Sequence, residues 1–233
     1  MKKTIFLIGI FLLVSVVSAQ KTSIENKTFE KKDLKVTNAE KVQFKDFLKN
    51  KHTGIIKLLN NPCSNSLVID ANDEKCSGKS DFTFGSHYSF FAKVYFEKYQ
   101  HIDYATLSFV QGEFVVKNNS SLIQLLVDLG DRSISEIDEQ TKDVINLSSF
   151  PLYDKNEMKK FNKSGDGYEF RGLKINNRQP VGLNRTFLLL SHFETGFRSL
   201  VNSKKETLFV FKVVRQKDEV VTILWKQIYS KDI

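Results

Sequence analysis

The sequence predicts an α+β fold, mainly antiparallel β-sheet with an N-terminal helical segment and one short internal helix. Two observations predict it. Helical spacing of apolar residues is concentrated near the start of the chain, and from Ser66 onward strand-like runs follow one another with few intervening helices.

The first element is not part of that fold. Lys2 and Lys3 form a positive n-region, Ile5 to Val17 an apolar h-region, and "VSA" ending at Ala19 a cleavage site before Gln20. Residues 1–19 therefore read as a signal peptide, because the apolar core is shorter than the ~20 residues that span a bilayer. Gln20 is not a cysteine, so no lipid-modified terminus is expected, and the later run "TFLLLSHF" is too short to span. The expectation is an extracytoplasmic protein, periplasmic or secreted, with no transmembrane anchor after cleavage.

Residues 20–36 are polar without a period and read as a loosely ordered arm; residues 37–233 read as a single α+β globular domain. "TNAE" places Thr37 and Glu40 at capping-box spacing, and Phe44, Phe47, Leu48, Ile55, Leu58 and Leu59 recur at helical intervals. They predict one helix, or two broken near Gly54, ended by "NNP". The runs "SLVID", "YSFFAKVYF", "YATLSFV", "EFVVK" and "SLIQLLVDLG" predict strands. The internal helix is expected at "DKNEMKKF", where Asp154 and Glu157 have cap and N3 spacing and Met158 and Phe161 share a face. Strands resume at "YEFRGLKI", "RTFLLLSHF", "TLFVFKVVR" and "VVTILWKQI", giving one twisted sheet of about six to eight strands. The last two predict a hairpin turning between Lys217 and Asp218, with Val210 opposite Trp225 and Phe211 opposite Leu224. Both of its faces are apolar, so cover is expected on both sides.

The cysteines are Cys63 and Cys76. In an exported chain two cysteines make one disulfide with a single possible connectivity. Zinc needs four ligands, whereas His52 and His87 are isolated in sequence and no Cys-x-x-Cys exists for redox work. No metal and no cofactor are expected.

Twenty Phe, seven Tyr and three Pro describe an ordered globular body. The net charge of +8 falls to about +6 without Lys2 and Lys3, an excess that suits an anionic envelope surface, although the lysines are interspersed with acids. An exported chain has no nucleic acid as its ordinary partner. The ligand-binding residues and the partner are unknown, with an anionic envelope surface and a protein partner both open.

The stretches "CSNSLVIDANDEKC", "GSHYSF", "QGEFVV", "LVDLGDRSISEI", "LNRTFLLLSHF" and "FVFKVVRQKDEVVTILWKQI" resemble those of a group of uncharacterised exported bacterial proteins, over about residues 63–228. The resemblance implies an extracytoplasmic location. It brings no activity, substrate or catalytic residue.

Motifs of chemistry are few. The nucleophile elbow G-x-S-x-G and both glycine-rich phosphate loops are missing. Ser86 and His87 are adjacent, but neighbours on a strand point to opposite faces. His101 and His192 are solitary. Asp70, Asp73 and Glu74 lack the glycine and the spacing of an EF-hand and read as a polar turn. Tyr88, Phe90, Phe91, Val94 and Phe96, interleaved with Lys93 and Lys98, read as buried strand rather than a stacking platform. Asn26, Asn118, Asn119, Asn146, Asn162 and Asn184 begin N-x-[ST] sequons, of little weight in an Asn-rich chain with a bacterial-type signal. The resulting expectation is a non-catalytic exported binding or scaffolding protein. A hydrolase or other enzyme would need two or more of His87, His101, His192, Asp70 and Asp131 to converge in a cleft. A dimerising structural protein would need an exposed apolar sheet face.

Overall fold

In the computed structural model, which describes residues 35–59, 81–82, 107–116, 118, 122–194, 204–217 and 219–233, the C-terminal hairpin lies inside a larger sheet. Its strands are β10 (Lys204–Lys217) and β11 (Val220–Asp232). The other strands of this sheet are β1 (Thr53–Leu59), β5 (Leu122–Gly130), β6 (Tyr168–Phe170), β7 (Leu173–Asn176) and β9 (Thr186–Glu194). They run in the order β1-β11-β10-β9-β5-β7-β6, seven strands with every neighbouring pair antiparallel.

Successive residues of the central strands feed two different cores. Leu188, Leu190, Leu208 and Val210 pack under Val144, Leu147, Phe150 and Phe161. Those four come from helix α3 (Lys142–Ser148), the turn after it and helix α4 (Lys155–Lys163). Phe187, Leu189, Phe209 and Phe211 point the other way, onto Leu107, Phe109 and Phe114. A second, four-stranded sheet supplies these, in the order β2-β3-β4-β8, with β2 Asp81–Phe82, β3 Leu107–Val110, β4 Glu113–Val115 and β8 Arg178–Pro180. Phe114 joins the layers, edge-on to Phe187 at 5.2 Å and to Phe211 at 5.3 Å between ring centroids. At one corner where the chain passes between the sheets, Val116 N–H donates to Asn177 C=O at 2.9 Å. Pro180 sits in β8, an edge strand where its missing N–H costs no ladder bond.

Several expectations are corrected. The hairpin register is one residue away from the predicted one: Phe211 faces Trp225 and Val210 faces Lys226. A two-residue connection pairs Lys217 with Val220, and bulges at Val214 and Ile228 shift the ladder. With both faces apolar, the hydrophobic pattern tolerates either register, so turn and bulges decide. The predicted N-terminal helix is two short ones, α1 (Asn38–Gln43) and α2 (Lys45–Leu48), and Ile55, Leu58 and Leu59 lie in strand β1. Ile55 packs on the helical side while Ile56 and Leu58 face the second sheet, a period of two. "YEFRGLKI" is two strands around an Arg171-Gly172 turn with φ of 50° and 81°, and helix α3 and the second sheet were not predicted. Residues 1–34, Cys63 and Cys76 with their expected disulfide, and the runs "SLVID" and "YSFFAKVYF" lie outside the described residues.

The capping box holds, and it does more than cap. Glu40, 1% exposed, accepts from Thr37 N–H at 2.7 Å, from Lys57 of β1 at 3.1 Å and from Arg215 of β10 at 3.1 Å. One carboxylate thus ties α1 to both strands flanking β11. Burial alone pushes this carboxyl up, but the Thr37 N–H, the Lys57 ammonium and the Thr37 hydroxyl outweigh it and hold the group below its ordinary 4.5. A folded value below the unfolded one contributes stability that is present above pH 4.5 and lost as pH falls below it. Glu40→Gln is expected to lower unfolding free energy at pH 7 by about 3 kcal/mol, because it leaves two cations facing a neutral amide. The deficit should shrink in acid, measured by urea midpoints along a pH series.

Gly54 has a steric role. It pairs with Trp225, and an ideal Cβ on it would lie 2.5 Å from the indole Nε1. The half-buried indole lies across the glycine and meets the Phe209 ring edge at 6.3 Å. Gly54→Ala is expected to cost about 1–3 kcal/mol by displacing the ring, read as a lowered melting temperature with a changed Trp fluorescence maximum.

Candidate functional site

Among the described residues, a group of chemistry-bearing side chains lies on the helical face where β9 ends and β10 begins. Antiparallel register places His192 between Ile123 of β5 and Glu206 of β10. His192 is 2% exposed and Glu206 5%. Directly opposed residues on one face have Cβ atoms about 4.5–5.5 Å apart, so imidazole and carboxylate are side by side.

Helical elements complete the group from above. Phe150 and Leu152 are buried between α3 and α4, and Asp154 caps α4 by accepting from Asn156 N–H at 2.8 Å. These anchors leave Tyr153 pointing outward, 56% exposed, while its hydroxyl reaches back to within 3.2 Å of His192 Nε2. The two rings meet edge-on at 5.1 Å, and Lys204 Nζ lies 5.4 Å from the Tyr153 ring centroid. Tyr229 of β11 donates to Glu206 Oε1 at 2.7 Å and sits 3.0 Å from Ser148 Oγ at the end of α3. Lys231 makes an ion pair with the same Glu206 oxygen at 2.7 Å.

Burial first, then the bond to Glu206, pushes the Tyr229 phenol far up, so it stays protonated and donating throughout the physiological range. The Glu206 carboxylate is directed to Tyr229 and Lys231, not to the imidazole. Chemically, the cluster contains a hydroxyl beside an imidazole, the first half of a nucleophile–base arrangement, but its acid holds strands and helix together.

Of the residues that the sequence singled out for an enzyme, His192 and Asp131 are described. They do not converge. Gly130 pairs with Thr186, six residues along β9 from His192, or about 20 Å of strand. Asp131 is exposed there and makes an ion pair with Lys212 at 2.8 Å. His52 is a turn residue with φ 58°, whose carbonyl accepts from Gln227 N–H. Ser86, His87, His101, Asp70, Asp73 and Glu74 lie outside the described residues. Among the described residues no three His, Cys, Asp or Glu side chains are grouped to hold a metal ion, and no helix is long and apolar enough to cross a membrane. Sequence reasoning missed Tyr153, Glu206 and Tyr229. A carboxylate opening a long apolar strand run was the one available signal, at Glu206. No family model, curated protein or solved structure matches the chain.

Tyr229→Phe is expected to cost about 1–2 kcal/mol at neutral pH, since buried Glu206 loses a donor. Equilibrium urea unfolding checks it, with Ser148→Ala as the smaller-effect comparison.

Proposed function

We propose that the protein is an exported, non-catalytic binding or scaffolding module of the cell envelope or extracellular space. The supporting observation is the division between its buried and exposed groups. Glu40 and Glu206 are turned to structural cations and hydroxyls, whereas Tyr153 presents its ring to solvent with the hydroxyl held by His192. An exposed, pre-oriented aromatic ring beside a lysine is suited to contact at little entropic cost. Among the described residues both faces of the hairpin carry cores within the chain, which supports the binding reading over a dimerising structural role that would need an exposed apolar sheet face.

A second reading, an enzyme, is favoured by one observation, the Tyr153 hydroxyl beside the buried His192 imidazole. Two substitutions separate the readings. Tyr153→Ala is expected to reduce chemical cross-linking of the protein to envelope components at least about tenfold, while Tyr153→Phe, which keeps the ring, retains it. The protein recovered from the extracytoplasmic fraction should begin at Gln20 by mass analysis. Retention in the cytoplasm with Met1 intact, or unchanged cross-linking in Tyr153→Ala, would overturn the binding proposal. A turnover activity abolished by Tyr153→Phe alone would establish the enzyme.

A further inference from the structure

We infer that the outer face of α1 and α2 docks on an anionic lipid surface. The two short helices turn their inner side chains into the protein: Phe44 and Phe47 pack on the helical-side core, and Glu40 points at Lys57 and Arg215. Exposed on these helices and the turn after them are Lys41, Val42, Gln43, Lys45, Asp46, Lys49 and Lys51. Val42 is 66% exposed, the highest value of any large apolar side chain among the described residues.

Charge on this face is one-sided because of how the helices are anchored. Residues 38–52 contain two carboxylates. Glu40 is buried and turned inward, and Asp46 makes an ion pair with Lys49 at 2.7 Å. Lys41, Lys45 and Lys51 have no carboxylate partner among the described residues. Clustered lysines gain about 1 kcal/mol each near an anionic membrane surface, roughly fivefold in binding per lysine.

The apolar side chain selects the partner. A soluble polyanion engages the lysines and has no use for Val42, whereas a lipid surface offers headgroup phosphates to the lysines and the acyl boundary to the valine between them. The inference names a surface and a partner class for the binding role proposed above. Its test does not depend on that role, because it uses the purified chain from Gln20 onward and synthetic vesicles.

The chain is sedimented with phosphatidylcholine vesicles with and without phosphatidylglycerol. Binding is expected only with phosphatidylglycerol and should weaken as salt rises toward molar strength. Lys41→Gln with Lys45→Gln should lower the affinity about 25-fold. Val42→Ser should lower it about fivefold, while Lys159→Gln with Lys163→Gln, the same charge change on α4, should leave it unchanged. All these positions are exposed, so melting temperatures should stay constant and serve as the folding control. Absence of vesicle binding overturns the inference. So does an equal loss in the α4 pair, which would reduce the effect to net charge, or binding to soluble polyphosphate with no effect of Val42→Ser.

Discussion

The structure depends on one constraint: β10 and β11 are apolar on both faces. A strand that buries only one side leaves the other to water, whereas here Leu208 and Val210 on one side and Phe209 and Phe211 on the other each need apolar cover. The chain meets this demand with unlike layers, helices on one face and a four-stranded sheet on the other. The corner at Val116 and Asn177 exists because the chain must pass from one layer to the other and back.

Polar chemistry is subordinate to that layering. Each buried carboxylate ties layers or strands that burial alone would leave free to slide. Glu40 connects α1 to β1 and β10, and Glu206 connects β10 to β11 and, through Tyr229 and Ser148, to α3. Hydrophobic burial is non-directional, so such directional contacts fix the relative placement of elements that greasy surfaces alone specify loosely. A consequence follows for the surface. Glu40 turned inward and Asp46 paired with Lys49 leave the other lysines of α1 and α2 on the outer face, and the burial of Phe150 and Leu152 before it leaves Tyr153 standing out.

How much was legible varied by element for identifiable reasons. The Thr37–Glu40 box and the Asp154 cap were readable because capping is local, set by residues three apart. Helical spacing failed at Ile55, Leu58 and Leu59, since a short apolar run fits both periods and a turn at His52 had already reversed the chain. Helix α3 carries a weak pattern in "KDVINLS" and is held by Val144 and Leu147 in the core. Of the candidate site, only His192 was named beforehand; Glu206 and Tyr229 are 23 residues apart in the chain and meet only because β10 and β11 pair.

By itself the sequence determined the class of secondary structure, the capping of two helices, and the two-faced character of the C-terminal hairpin, all consequences of spacing between near neighbours. The tertiary structure decided the register of that hairpin, the split into two sheets, and the meeting of Tyr153, His192, Glu206 and Tyr229. Register was undetermined because both candidate faces are apolar, so a slip of one residue changes no burial until bulges and opposing layers are in place. The polar cluster was undetermined because its members come from separate segments, and nothing local to any of them encodes which strand lies beside it.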